Sequence, residues 1–131
     1  MITITKEVLD IIVKHGLSEL PNEACGYLAG TNGLVNHSYQ LTNIDHSPEH
    51  FSFDPSEQFQ TLKDSRKKGM EIIANYHSHP ETPARPSEED IRLAYDPEIS
   101  YVIISFATKK PDIRAFRIKN DVVEKEEIRY Q

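Results

Sequence analysis

A strand-like run, Glu71 to Tyr76, leads into His77-Ser78-His79, and a helix-start signal, Ser87-Glu88-Glu89-Asp90, follows shortly after. This stretch constrains the fold more than any other. A buried strand must deliver two imidazoles to a sheet end, and a helix must begin within reach of them. Residues two apart in an extended strand point the same way, so His77 and His79 present both rings to one side. Zinc bonds histidine nitrogen and carboxylate oxygen at about 2.0–2.1 Å in a roughly tetrahedral arrangement. Asp90 supplies a third ligand if the loop folds the new helix back against the strand end. Pro80, Pro83 and Pro86 stiffen that loop and lower its entropic freedom. Two histidines and one carboxylate leave a fourth position for water, the pattern of a catalytic rather than a structural zinc.

A bound water needs a base to take its proton, and the developing oxyanion needs a donor. Ser87 lies three residues before Asp90 and is a candidate for the donor. Glu81, Glu88, Glu89 and a remote acid are all candidates for the base. Glu23 is the most suggestive of them, because it stands at the mouth of an apolar strand. Bland readings account for each feature singly. A lone His-x-His is commonly surface decoration. Ser87 and Asp90 make a capping box without any metal, and Glu23 reads equally as a surface acid near a helix end. Cys25, followed by Gly26, reads as a packed core thiol rather than a nucleophile paired with His77. His37, His46 and His50 read as solvated.

The chain has 131 residues and one cysteine, so one domain (1–131) is expected, without an intrachain disulfide. Its net charge of -6 argues against a nucleic-acid backbone as partner. Arg66-Lys67-Lys68, the one basic cluster, sits at a predicted helix end, where cations favour the helix dipole. No apolar run has the length of a membrane span, and Asp10 and Lys14 flank the apolar Ile11-Ile12-Val13, unlike a secretory signal. The expectation is a cytoplasmic protein with no membrane partner.

Thr5 reads as an N-cap, with Val8, Leu9, Ile12, Val13 and Leu17 at helical spacing until Pro21. Asn22 to Gly30 reads as a buried strand, Thr31-Asn32-Gly33 as a hairpin turn, and Leu34 to Thr42 as the returning strand. Phe51 to Phe53 reads as a short strand. A second helix starts with Asp54 at N-cap, Pro55 at N1 and Glu57 at N3; it carries Phe59 and Leu62 and ends at Gly69. After the histidines, Ile91 to Tyr95 suggests two to three helical turns stopped by Asp96-Pro97. Tyr101 to Phe106, Asp112 to Lys119 and Val122 to Tyr130 read as three further strands. The sum is an α/β domain with a mixed or largely antiparallel sheet and about three helices.

Taken together, Glu23, His77-Ser78-His79-Pro80, and Ser87-x-x-Asp90 after a fixed gap resemble the signature of the JAMM (MPN+) metalloprotease family at every defining position. Glu23 to Gly30 is similar to its Glu-x-Cys-Gly-Leu-Leu-x-Gly strand, and the element order matches over nearly the whole chain. The resemblance implies a three-layer MPN-like (cytidine-deaminase-like) fold with a curved mixed sheet between helices. It implies Zn²⁺ held by His77, His79 and Asp90, Glu23 as the base acting on the zinc water, and Ser87 supporting the oxyanion. Ala74-Asn75-Tyr76 departs from the Gly-Trp-Tyr frequent in eukaryotic members, and the chain looks more like the compact prokaryotic branch. Pro86 to Ala94 and the Tyr101 strand are similar to members that cut at the C-terminal Gly-Gly tail of ubiquitin-like or sulfur-carrier proteins.

The implied function is therefore a zinc metallopeptidase or isopeptidase acting on such a tail, which a sheet edge beside the metal would hold as an added strand. The alternative is a non-catalytic MPN-type scaffold that binds partners without metal. A relative of the RadC group is disfavoured, because that group typically has His-Asn-His-Pro and this chain is acidic. A phage-tail or cell-wall peptidase relative is a weaker alternative. Terminal edge strands leave room for a homodimer.

Overall fold

Strand β1 (Ile2–Ile4) leads to helix α1 (Lys6–Glu19). The computed structural model describes residues 1–131. Thr5 caps α1, its side chain accepting from the Val8 N–H, and Val8, Leu9 and Ile12 bury one stripe of the helix. Strands β2 (Cys25–Thr31) and β3 (Leu34–Leu41) form the expected hairpin. Its two turn residues, Asn32 (φ 52°) and Gly33 (φ 77°), both occupy the left-handed region, as a tight primed turn requires.

Helix α2 (Pro55–Lys67) starts where expected, with Asp54 accepting from the Ser56 N–H. Glu57 does not complete the capping box. Its carboxylate instead accepts from the Thr42 N–H (2.7 Å) and hydroxyl (2.9 Å), tying α2 to the end of β3. Phe59 and Leu62, expected to be the helix's apolar face, are exposed, whereas Thr61 and Ser65 are buried. The helix meets β3 and β4 through small side chains.

Strand β4 (Glu71–His79) is followed by helix α3 (Glu88–Arg92), β5 (Ser100–Ser105), β6 (Asp112–Lys119), β7 (Val122–Glu126) and β8 (Ile128–Tyr130). Phe51 to Phe53 is not a strand; only an isolated bridge joins Phe53 to Asn43. Helix α3 is five residues long, shorter than its pattern suggested. Beyond it the Tyr101 hydroxyl donates to the Asp96 carbonyl (2.8 Å), and Leu93 and Tyr95 are exposed.

The eight strands form one mixed sheet in the order β7-β6-β5-β4-β2-β3-β1-β8. Pairings β4–β5, β1–β3 and β1–β8 are parallel and the others antiparallel. The span expected as one last strand divides into β7 and β8, at opposite sheet edges with only Glu127 between them. A single residue spans only about 3.5 Å, so the sheet curls until its edges nearly meet. The Ile2 N–H donates to the Glu127 carbonyl (2.9 Å), extending the β1–β8 pairing up to that seam. Helix α1 fills the inside of the curve, where Ile4, Ile12, Leu28, Tyr76, Val102 and Ile104 form the main core. The other face carries two smaller clusters, one under the loop after His79 and one around Cys25 and Tyr27. The result is three layers, an α/β domain in which β4 is central. No helix is long and apolar enough to cross a membrane.

Candidate active site

Central β4 ends at the site. Its register with β2 runs up to Cys25 opposite His77, and with β5 up to Ser105 opposite His79. The backbone under both histidines is thus fixed by neighbouring strands, and their rings emerge on one face, both buried. No free sheet edge borders them: the edges are β7 and β8, so the expected strand-addition surface beside the histidines is absent. Both sides of β4 are already paired.

Asp90 reaches the same point from α3. Its Oδ2 lies 3.1 Å from His77 Nε2 and 3.1 Å from His79 Nε2, and the two nitrogens lie 3.1 Å from each other. Atoms placed at about 2.0–2.1 Å around a tetrahedral centre are about 3.3 Å apart, so the trio has the spacing of a metal ligand set. The donor chemistry agrees. His79 Nδ1 donates to the Pro83 carbonyl (2.9 Å), which can only accept, so the neutral ring turns a bare Nε2 to the centre. A bare nitrogen facing a carboxylate oxygen is repulsive unless a cation or a proton lies between them. These residues fit a metal, and this group of three can hold one.

Ser87 and Asp90 form the capping box read from the sequence, and it coexists with the metal geometry. Asp90 Oδ2 accepts from the Ser87 N–H (2.9 Å) while Ser87 Oγ accepts from the Asp90 N–H (3.0 Å). The cap thereby fixes the carboxylate that faces the histidines. Burial pushes the Asp90 carboxyl up, but when a proton rather than a cation lies at the centre, hydrogen bonds from the His77 and His79 rings and from the Ser87 N–H outweigh it and hold Asp90 well below the usual carboxylate range. Burial works against a charged His79. The Asp90 hydrogen bond, the Pro83 carbonyl and the charges of Asp90 and Glu23 win, leaving it raised.

Glu23 is not a surface acid: it is 3% exposed, and its Oε1 is buried without a partner. Burial pushes its carboxyl up to about 8, with His79 opposing and Asp90 and Glu89 reinforcing. A carboxyl tuned near neutrality can both take and return a proton. Among the other acids considered, Glu81 and Glu88 are exposed, and Glu89 lines a cavity beside His77 and Asp90. Ser87 is exposed, and because its Oγ is already an acceptor its O–H stays free to donate. Cys25 is fully buried, and burial pushes its thiol up to about 12, so it is no nucleophile. His46 and His50 are exposed, but His37 is half-buried against Tyr39, with ring centroids 4.6 Å apart.

The sequence pattern did not reveal three supporting residues. Ser78, between the histidines, points to the opposite side of β4 and accepts from the Ala24 N–H (2.8 Å), fastening the Glu23 segment to the histidine strand. Asn43 donates to the Glu23 carbonyl (3.1 Å) and to the His50 carbonyl (3.1 Å). Phe51 stacks on the His77 ring at 4.7 Å. All three act across long sequence separations, and only the burial of a polar Ser78 inside a strand pattern hints at them.

The family described as prokaryotic homologs of the JAB domain matches residues 5–119. The chain belongs to this family. It is 31% identical over 133 aligned positions to a Mycobacterium tuberculosis (strain ATCC 25618 / H37Rv) protein named CysO-cysteine peptidase, covering 98% of this chain and 90% of that one. It is 38% identical to a Thermus thermophilus protein named probable TtuB-protein conjugate cleaving protease, over 61% of this chain and 54% of that one. The solution structure of protein DSY2949 from Desulfitobacterium hafniense shares 51% identity and a TM-score of 0.92, covering 100% of this chain and 93% of that chain. The mycobacterial and Thermus relatives of this JAB-family chain are thus a peptidase and a protease by name.

Proposed function

We propose that this chain is a zinc-dependent peptidase or isopeptidase that hydrolyses an amide at the C-terminal Gly-Gly tail of a ubiquitin-like or sulfur-carrier protein, in the cytoplasm. Residues 1–131 act as one domain, since a single sheet takes in strands from Ile2 to Tyr130. The observation that carries the reading is the mutual 3.1 Å approach of His77, His79 and Asp90, together with the buried Glu23, whose Oε1 has no partner and whose carboxyl feels the charges of His79 and Asp90. The names of the mycobacterial and Thermus relatives support the substrate class.

In this reading His77, His79 and Asp90 hold the zinc. Bound there, zinc supplies Lewis acidity to the scissile carbonyl and to a water. Glu23 accepts the proton of the attacking water and returns it to the leaving amine as the C–N bond breaks. One water is consumed, and a carboxylate and an amine leave. The Ser87 hydroxyl donates to the oxyanion that develops on the carbonyl. A cavity of about 600 Å³ opens beside His77 and Asp90, walled by Tyr27, Phe51, Phe53 and Tyr101, and gives the substrate chain a place without any free sheet edge.

The test is cleavage of carrier proteins bearing a Gly-Gly-X extension, followed by mass spectrometry with and without a chelator. Glu23→Gln is expected to bind one equivalent of zinc and to cleave about 10²–10⁴-fold more slowly. Wild-type turnover by that variant removes Glu23 as the base. Purified protein that holds no zinc, and gains no melting temperature when zinc is added, instead indicates a non-catalytic scaffold.

A further inference from the structure

The two histidines are supported unequally. A neutral imidazole that offers Nε2 to a metal carries its proton on Nδ1, and ligating histidines ordinarily donate that N–H to a carbonyl, a carboxylate or water. His79 does so, through Pro83. Asp90 is oriented by its capping box. His77 has no such support: its Nδ1 is buried and without a partner. Its backbone is fixed by β2 and β5, but no hydrogen bond sets the plane of its ring on the side away from Asp90 and His79.

What does lie against that ring is Phe51, stacked at a centroid distance of 4.7 Å and an interplanar angle of 28°. Phe51 is itself firmly held. Asn43 accepts from the Ser52 N–H (3.3 Å) and donates to the His50 carbonyl (3.1 Å), so one side chain grips the backbone on both sides of Phe51. The Phe51 ring also meets Phe53 edge-on (5.4 Å), Phe53 stacks on Tyr27 (4.9 Å), and the Tyr27 hydroxyl accepts from Gln58 of α2 (2.7 Å). An aromatic ladder thus runs from α2 to the unsupported ligand.

We propose that Phe51 is a positioning residue: its ring, stacked on His77, takes the place of the missing hydrogen bond and holds the His77 imidazole toward His79 and Asp90. Stacking fixes a ring plane through its flat face, which an aliphatic side chain of similar bulk does not offer. This role rests on the reading that the trio binds a metal.

The experiment measures zinc affinity by chelator competition in the wild-type protein, Phe51→Leu and Phe51→Tyr. Loss of an outer support of a metal ligand typically costs 10–100-fold in affinity, so Phe51→Leu is expected to bind zinc at least about 10-fold more weakly, with Phe51→Tyr within about threefold of wild type. A space-filling role without stacking instead leaves Phe51→Leu close to wild-type affinity. Folded Phe51→Leu with wild-type zinc affinity overturns the role alone. Wild-type protein that takes up no zinc overturns the metal reading and the role with it. Should Phe51→Leu fail to fold, the wild-type NMR spectrum decides. The His77 ring protons are expected upfield of those of His79 through the Phe51 ring current, and the absence of that shift overturns the stacking.

Discussion

Ser78→Ala isolates the link between Glu23, the proposed base, and the strand that carries His77 and His79. Ser78 and Ala24 are both essentially inaccessible to water, and the Ser78 hydroxyl is the only partner of the Ala24 N–H, at 2.8 Å. The substitution removes the acceptor and leaves that amide buried and unpaired, a penalty of about 1–3 kcal/mol. In a domain of this size each kcal/mol is worth about 3–5 °C, so melting should fall by about 3–15 °C. The backbone bond from the Ser78 N–H to the Ala24 carbonyl survives, and so do the β4–β5 pairings under both histidines. Zinc affinity should therefore change little. Turnover should fall, because the segment carrying Glu23 is released from the strand carrying His77 and His79. The assay combines melting in the presence of chelator, zinc competition and cleavage of a Gly-Gly-X carrier. If Ser78→Ala melts within about 1 °C of wild type and turns over normally, this hydrogen bond does not hold the base in place. If zinc affinity collapses with turnover, Ser78 acts on the ligands and not on Glu23.

Two further outcomes concern buried groups behind the site. Cys25, with its thiol pushed up to about 12 by burial, should resist alkylation at pH 8 in the native protein and react only after denaturation; rapid native labelling would contradict the burial argument. His15 is buried in α1, with Nδ1 2.8 Å from the Tyr76 hydroxyl, and burial lowers its pKa against the opposing charge of Glu19. The unfolded chain therefore binds a proton at His15 more readily than the native one. The stability contributed by neutral His15 is present above about pH 6.5 and is lost as pH falls through the lower folded value. Melting of the chelated protein between pH 7.5 and 5.5 should decline more steeply in wild type than in His15→Gln, and parallel curves would exclude His15 as the source.

Several parts of the site were legible in the residues because their chemistry is local. His77 and His79 share a face through strand alternation alone, and Ser87 with Asp90 makes its cap within one helical turn. Asn32-Gly33 carries the left-handed dihedrals of its hairpin. Asp54-Pro55 starts α2 by the same short-range logic. Less legible were elements whose end points depend on partners elsewhere. The α3 pattern continued to Tyr95, but the helix ends at Arg92, and the chain beyond it is fastened at Asp96 by the Tyr101 hydroxyl. Phe51 and Phe53 alternate like a strand, but their rings are consumed in stacking on His77 and Tyr27.

By itself, then, the sequence determined which residues are candidate ligands, most of the element order and the resemblance to a metalloprotease family, since each is written in residue types and short spacings. The tertiary structure decided what surrounds that set. It drew Asp90 to 3.1 Å from both histidines, buried Glu23 with its Oε1 unpartnered, and set β7 and β8 at opposite edges of the curled sheet. It also gave His79 a carbonyl and His77 only an aromatic face. Such contacts join residues tens of positions apart, and no local periodicity encodes which buried polar atom is satisfied and which is left open.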